Sequence, residues 1–197
     1  MKTVAAFDFD GTLTRKDMLV PFSLFLNGPF YTGYCIFKII PFIALFLLGI
    51  KTRQQVKEKF LSIILYPKRA ELKEKGAEFA SAQIPKALKD EGLAKLKWHK
   101  DRGDTTVLIS ANLDLFIVPF GKAYGFDYIF CSEVELPLTG KLHNKNCYGE
   151  EKVRRILSAF GPKENYILYV YGDGEGDMPL LKIADHPFLK SFDREGL

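Results

Sequence analysis

The chain has 197 residues, of which 47% are hydrophobic and 26% charged, and its formal net charge at pH 7 is +4. The length suits one substantial domain or a domain with an insertion, and the composition excludes an intrinsically disordered chain. The charge is small and Lys and Arg are scattered, so the sequence indicates no nucleic-acid binding.

The three cysteines are widely spaced and form no CxxC pair, and the chain enters an apolar run at once, without a signal-peptide pattern. We therefore expect a reduced, cytoplasmic protein. Association with the cytoplasmic face of a membrane stays open because of an apolar segment described below.

The first predicted strand, residues 4–7, is apolar throughout and is followed by two acids, Asp8 and Asp10, and then by Gly11. An apolar run without alternation is typical of a buried parallel strand. Open α/β sheets bind ligands at the carboxyl ends of their strands. Two carboxylates held close together repel each other unless they share a cation or a proton, so partners are expected further along the chain.

Residues 18–50 are nearly all apolar, with an Asn-Gly-Pro interruption at residues 27–29. The densest part, residues 39–50, carries no charge but is shorter than the roughly 20 residues that a transmembrane helix needs. We expect a buried helix here. A helix lying on the membrane surface, and a transmembrane or re-entrant hairpin, remain open alternatives.

Three amphipathic helices are predicted between residues 51 and 100, separated by Pro67 and Pro85. The basic side chains opposite the apolar face of the first of them are interpreted as solvent-exposed: Lys51, Arg53, Lys57 and Lys59. Residues 15–100 are therefore predicted to be an all-helical cap, inserted into an α/β core formed by residues 1–14 and 101–197.

After residue 100 apolar runs alternate with helical patterns, which predicts an α/β fold with a Rossmann-like parallel sheet. The predicted strands are residues 105–110, 128–131 and 166–171, and the predicted helices are residues 113–124, 150–160 and 178–184. A small hairpin at residues 134–143 and an edge strand at residues 188–192 complete the pattern.

Polar side chains follow three of the predicted strands. Asp8 and Asp10 follow the first strand, Ser110 ends the second, and Asp173 and Asp177 follow the strand that ends at residue 171. The carboxyl ends of parallel strands meet at one edge of a sheet, so these side chains are expected to converge. Carboxylate oxygens in such a cluster suit a hard cation such as Mg²⁺.

These motifs resemble those of the haloacid dehalogenase superfamily of hydrolases. The sequence DFDGTLT at residues 8–14 resembles its first motif, Ser110 its second, and GDGEGD at residues 172–177 its fourth. The helical insertion is similar to the C1 cap of the subgroup that contains phosphoserine phosphatases. Residues 146–157 resemble subfamily IB, which includes bacterial phosphatidylglycerophosphatase C-like proteins.

The resemblance implies a phosphomonoester hydrolase that works through an aspartyl-phosphate intermediate. Asp8 would be the nucleophile, Asp10 the general acid and base, and Lys152 the lysine of the third motif. The implied Mg²⁺ site comprises Asp8, the backbone carbonyl of Asp10, Asp173 and, through the metal's waters, Asp177. The implied phosphate-binding groups belong to Gly11, Ser110, Ala111 and Asn112.

The third and fourth motifs depart from the family pattern. Relatives often carry a lysine just before the Gly-Glu pair, where this chain has Tyr148, so Lys145 stays open as an alternative to Lys152. Gly174 stands where Ser or Thr usually follows the first Asp of the fourth motif, and we expect this change to be tolerated.

Two further residues bear on the substrate. Phosphoserine phosphatases bind the amine of their substrate with a Glu, and this chain has Asp17 at that position. They bind the carboxylate of the substrate with an arginine of the cap, for which Arg53 is the candidate here. Asp17 is one methylene shorter than Glu, and capping of the next helix is the alternative interpretation.

The apolar cap favours a lipid-like phosphate such as phosphatidylglycerophosphate, with peripheral membrane contact through residues 18–50. A phosphatase of a small polar metabolite such as phosphoserine is the alternative. A phospho-accepting signalling module is less favoured, because Asp10 lies two residues after the nucleophile and predicts rapid hydrolysis. A catalytically inactive binding protein is disfavoured because all the core acids are present. The sequence leaves the oligomeric state open.

Overall fold

The computed structural model describes residues 2–68, 70–135 and 139–193. Its five strands form one sheet in the order β3-β2-β1-β4-β5, and every neighbouring pair is parallel. The strands are β1 Lys2–Phe7, β2 Thr105–Leu113, β3 Tyr128–Ser132, β4 Tyr166–Gly172 and β5 His186–Leu189. The predicted α/β fold with a parallel sheet is confirmed.

The position of β1 explains where the site forms. The chain runs from β1 through β2 to β3 on one side and then crosses to β4 and β5 on the other. The strand order therefore reverses beside β1, and such a switch point leaves a crevice at the carboxyl ends of the strands.

Seven α-helices lie in the described residues, and four of them fall between β1 and β2. They are α1 Leu19–Leu47, α2 Arg53–Ile64, α3 Leu72–Ala82, α4 Asp90–Asp101, α5 Asp114–Ala123, α6 Glu150–Phe160 and α7 Met178–Ile183. α1 is kinked at Gly28, which has φ +75° and ψ 174°, so the interruption predicted at residues 27–29 is present.

The sheet is buried on both faces, which accounts for the uninterrupted apolar run of β1. Ala5 and Phe7 face a core shared with most of the helices, whereas Val4 and Ala6 face a second core. That second core includes Ile156 of α6 together with residues of α7. Successive side chains of a strand point to opposite faces, so a strand covered on both sides must be apolar at every position.

The two ends of the helical insertion meet. Thr14 forms an antiparallel bridge with Leu88, and the Arg15 N–H donates to the Ala87 carbonyl at 2.8 Å. α4 lies beyond this junction, and its buried His99 hydrogen-bonds to the hydroxyl of Tyr171 in β4 at 2.9 Å. The division into core and cap stays a prediction, but this packing favours a cap that ends near residue 87 rather than residue 100.

β2 and the last strand differ from the predictions at their ends. β2 extends to Leu113, beyond the predicted end at residue 110, because Leu113 pairs with Ser132 of β3 after a shift in register. The last strand begins at His186, earlier than predicted, through pairing with β4. Val134 and Leu142 bridge as the predicted hairpin requires, but residues 136–138, which include its Pro137, lie outside the described residues.

The second half of α1 is exposed, in contrast to the buried helix predicted for residues 39–50. Ile39 is the one buried residue of that range. By length and composition α1 is the one helix in the described ranges that could cross a membrane, with mean hydropathy 1.8 and 17% of the apolar window buried. Its exposed apolar side chains, with those just after it, include Phe30, Tyr34, Phe37, Ile40, Leu47, Leu48 and Ile50.

Candidate active site

The polar ends of β1, β2 and β4 line one cavity of about 790 Å³. Its floor contains Asp8, Asp10, Asn112, Lys152, Asp173 and Asp177. The convergence predicted from the strand ends is therefore present for all four acids. Ser110 is fully buried beneath this surface, where its Oγ accepts the Asn112 N–H at 2.9 Å.

Lys152 connects the acids of the first and fourth motifs. Its Nζ donates to Asp8 Oδ1 and Asp177 Oδ1, at 2.6 Å each, and to the Ile109 carbonyl at 3.0 Å. The first turn of α6 points this side chain into the core, on the face that also carries the buried Ile156. Lys145, the alternative, has an exposed side chain, so it is Lys152 that reaches the predicted position.

Burial and charge set the ionisation of this pair. Burial raises the pKa of Asp8 to about 6, with a further contribution from Asp177, and Lys152 opposes the rise. Burial alone would lower the pKa of Lys152, but the two carboxylates outweigh it and raise that pKa above its usual value. Lys152 is therefore an ammonium ion at neutral pH, and it offsets negative charge at the floor of the cavity.

Asp10 is oriented by two hydrogen bonds. Its Oδ2 accepts from the side-chain amide of Asn112 at 2.7 Å, and its Oδ1 accepts the Met18 N–H at 2.9 Å. Burial raises its pKa well above the usual value, assisted by the charges of Asp17 and Asp8. A carboxyl group that holds its proton more tightly than usual suits a general acid.

The carboxylates of Asp8, Asp173 and Asp177 fit a cation. One oxygen from each lies within 4.8 Å of the other two. Lys152 pairs with Asp8 and Asp177. The pKa of Asp173 is raised, mainly by its burial and also by repulsion from the Asp177 carboxylate. An excess of carboxylate oxygens at this spacing suits Mg²⁺. The side chain of Asp10 is engaged elsewhere, which is compatible with the carbonyl role implied for it.

Asp17 and Arg53 both line the cavity. Asp17 Oδ1 accepts the Leu19 N–H at 2.7 Å, as the helix-capping interpretation requires. The guanidinium of Arg53 lies 4.5 Å from the ring centroid of Tyr148 and 5.7 Å from that of Phe46. Tyr148, which occupies the usual lysine position of the third motif, thus holds an arginine at the rim.

Lys57 is the functional candidate that sequence reasoning missed. Its interpretation as a solvent-exposed residue is wrong, because its Nζ donates to the Ala111 carbonyl and, at 2.8 Å, to Asn146 Oδ1. Burial lowers the pKa of Lys57 to about 8. The one signal in the sequence is its spacing of four residues from Arg53, which places both on one side of α2.

Gly11 is required by a close approach. A Cβ on Gly11 would lie 1.9 Å from Asp173 Oδ2, and the residue has φ +72°. We expect Gly11→Ala to destabilise the fold by at least about 1–2 kcal/mol through backbone strain alone and to displace Asp173 from the acid cluster. Gly174→Ala is the matched control, because nothing lies within 4 Å of its added Cβ. Thermal unfolding and turnover should fall for Gly11→Ala only; wild-type behaviour of that variant would contradict the geometry.

A parallel sheet whose central strand ends in a carboxylate cluster defines a Rossmann-like α/β protein with a site suited to cation-assisted chemistry. Residues 5–182 match the family of haloacid dehalogenase-like hydrolases, and the chain belongs to that family. The expectation of an enzyme of this family is confirmed.

Individual proteins are similar to this chain over most of its length. Protein CicA of Caulobacter vibrioides strain NA1000 is 29% identical over 197 residues, which cover 96% of this chain and 86% of CicA. A protein of unknown function from Bordetella pertussis Tohama I superposes with a TM-score of 0.82 at 22% identity, covering 96% of this chain and 90% of that one. A substrate-bound phosphoserine phosphatase gives 0.63 at 20% identity, covering 93% and 83%. The two solved structures share the fold.

Proposed function

We propose that this hydrolase is a Mg²⁺-dependent phosphomonoesterase of subfamily IB that forms a phosphoryl intermediate on Asp8. The observation that carries the proposal is the hydrogen-bonded set in which Lys152 joins Asp8 to Asp177 while Asn112 holds Asp10 at the same floor. A nucleophile, an oriented acid and a buried cation are the groups that phosphoryl transfer through a carboxylate needs.

Each residue has a role in the proposed reaction. Asp8 attacks the phosphorus, and Asp10 donates a proton to the leaving oxygen and later takes one from the hydrolytic water. Lys152 offsets the charge of Asp8 and of the phosphate oxygens. Asp8, Asp173 and the Asp10 carbonyl would hold Mg²⁺, with Asp177 supporting its water ligands, and the ion would supply further charge neutralisation. Backbone N–H groups at Gly11 and Ala111 bind the phosphate oxygens. Ser110, whose Oγ accepts the Asn112 N–H, supports the end of β2 beside them.

The wall above the floor favours an amphiphilic substrate. It is formed by apolar side chains of α1 and α2: Leu19, Val20, Ile36, Ile39, Ile43, Phe46, Val56 and Phe60. Such a wall stabilises an alkyl or acyl chain by removing it from water, at about 0.8 kcal/mol per buried CH₂. A lipid-like phosphate of the phosphatidylglycerophosphate type fits this arrangement.

The outer surface of α1 supports membrane contact. The helix that forms the apolar wall also exposes Phe37 and Ile40 to solvent, and Lys38 lies beside them. Exposed apolar side chains next to a basic residue favour the interface of an anionic membrane. We propose a cytoplasmic enzyme that takes its substrate from the inner membrane surface.

A small polar substrate such as phosphoserine is the second candidate. The presence of Asp17 and Arg53 in the cavity favours it, because Asp17 is the predicted partner of the substrate amine and Arg53 that of the substrate carboxylate. The occupation of Asp17 Oδ1 by the Leu19 N–H weighs against the amine-binding role of Asp17.

Steady-state assays with Mg²⁺ separate the two candidates. We expect kcat/KM for short-chain phosphatidylglycerophosphate to exceed that for phosphoserine at least about tenfold, because only the lipid gains from the apolar wall. Ile43→Gln, in the wall, should lower the lipid value, whereas Ile40→Gln, outside the cavity on the same helix, should not lower turnover of monomeric lipid. Efficient turnover of phosphoserine without activity toward the lipid would overturn the amphiphilic assignment.

A further inference from the structure

Lys57 carries a charge without a counterion. Its Nζ donates to two neutral oxygens, the Ala111 carbonyl and Asn146 Oδ1, and in the described part of the chain no carboxylate lies within ion-pair distance. Asp10 and Asp17 act on it from further away. An ammonium group has three N–H donors, so one is left for a ligand. A partly buried cation is costly unless it is paired, which points to an anion that arrives with the substrate.

The acceptors of Lys57 are themselves held in place. Asn146 Oδ1 also accepts from the hydroxyl of Ser132 at 2.9 Å, and the Cys147 N–H donates to that hydroxyl at 3.1 Å. This chain of hydrogen bonds fixes the Asn146 oxygen toward α2. The ammonium group is therefore positioned by the rigid end of the sheet rather than by a flexible surface contact.

Lys57 lies at the boundary between the two parts of the cavity. Its neighbours on α2, Val56 and Phe60, belong to the apolar wall, whereas Ala111 borders the polar floor. Arg53, one turn earlier, lines the same cavity. Stacking on Tyr148 uses the face of its guanidinium and leaves the N–H edge for hydrogen bonds.

We propose that Lys57, assisted by Arg53, binds a second anionic group of the substrate, one that is not transferred and that lies between the phosphomonoester and the apolar chain. The inference rests on the proposed function and narrows its substrate class. The preferred substrates are amphiphiles in which a phosphodiester or carboxylate separates the phosphomonoester from the chain. These substrates gain affinity because a hydrogen bond between an ammonium group and an anion is strong in a partly dehydrated site.

The test compares two substrates of equal acyl length. Short-chain phosphatidylglycerophosphate carries the internal phosphodiester, whereas phosphatidic acid carries the monoester alone. Lys57→Met should lower kcat/KM for the first at least about tenfold, mainly through KM, and change the second less than about threefold. Lys59→Met is the matched control, because Lys59 lies on the same helix but is exposed over the Phe42 ring. It should change neither value.

Several results would overturn the proposal. Equal losses for both substrates would assign Lys57 to the transferred phosphate or to support of β2 at Ala111. If Lys57→Met leaves kcat/KM unchanged for both substrates, Lys57 has no part in substrate binding. If Lys57→Met does not fold, Lys57→Gln, which keeps one donor and removes the charge, should give the same change in the ratio.

Binding separates this proposal from the proposed function. If the wild type hydrolyses neither lipid, the phosphomonoesterase assignment fails, and calorimetric titration with short-chain phosphatidylglycerol still tests the anion site. That lipid has the phosphodiester but no group to transfer. Lys57→Met should weaken its binding about tenfold and leave the binding of short-chain diacylglycerol unchanged. Equal affinity of wild type and variant for phosphatidylglycerol would overturn the proposal.

Discussion

Asp8→Asn is expected to lower kcat by about 10⁴-fold or more, because a carboxamide cannot attack phosphorus and loss of a covalent nucleophile removes the main catalytic route. The fold should remain. The Asp8 N–H donates to the Tyr171 carbonyl at 2.9 Å, and this backbone bond continues the pairing of β1 with β4 whatever the side chain is. Turnover and thermal unfolding, measured on the same preparation, check both parts.

The stability of Asp8→Asn as a function of pH, measured on the metal-free protein, gives a second test of this variant. The carboxyl of Asp8 ionises near 3.8 in the unfolded chain but near 6 in the folded protein, where burial disfavours its charge. Its contribution to the free energy of unfolding therefore falls as pH rises through this interval. Asp8→Asn lacks the ionisation, so at about pH 8 it should be as stable as the wild type or more stable.

Asp101→Asn is the matched control for Asp8→Asn. Asp101 is exposed and pairs with Lys97 on the surface of α4, so its replacement should leave kcat and unfolding unchanged. Retention of more than about a tenth of wild-type kcat by Asp8→Asn would remove Asp8 from the role of nucleophile.

Lys152→Met is expected to lower the free energy of unfolding by about 3–5 kcal/mol, the usual cost of removing one partner of a buried ion pair. The side chain is 2% exposed, and its loss would leave the carboxylates of Asp8 and Asp177 without their shared cation. Denaturant unfolding of the metal-free protein measures the change. Turnover should fall as well, because charge near the phosphate is no longer offset.

Two features distinguish this electrostatic effect from a packing defect. The stability difference between wild type and Lys152→Met should shrink as pH falls from about 8 to about 5, because Asp8, whose pKa is raised to about 6, takes up a proton. Lys163→Met, which breaks the partly exposed pair with Asp185, should cost less than about 1 kcal/mol. A loss below that value for Lys152→Met, or one that is independent of pH, would contradict the account.

The sheet and the central acids could be predicted because their signals are local. Asp8 and Asp173 follow apolar strands directly, and Asp10 and Asp177 lie shortly after them. Parallel strands bring such positions to one edge whatever the rest of the chain does. Lys152 was predicted through the family resemblance alone, and its place in the first turn of α6, which begins at Glu150, accounts for its reach into the site.

Lys57 could not be predicted because its burial depends on tertiary packing. On an isolated α2 it would lie beside other basic residues and would be solvated. It becomes partly buried where Ala111 and Asn146, which are distant in sequence, lie against its ammonium group. The exposure of α1 was missed for the opposite reason: an apolar sequence predicts burial, and the helix continues past the residues that could cover it.

The end of the predicted cap has a similar explanation. Composition changes little between residues 85 and 101, so a helical pattern alone cannot tell a cap helix from one that packs on the sheet. Two contacts distinguish them: the bridge between Thr14 and Leu88, and the hydrogen bond between His99 and Tyr171. Both join distant parts of the chain.

Trapping the intermediate tests the central claim most directly. Wild-type enzyme mixed with excess substrate and Mg²⁺ is quenched in acid within one turnover, digested, and analysed by mass spectrometry of its peptides. One phosphoryl group is expected on Asp8 of the DFDGTLT peptide, and none on any peptide of Asp8→Asn. A phosphoryl group on another residue, or turnover by the wild type without any phosphorylated peptide, would contradict that claim.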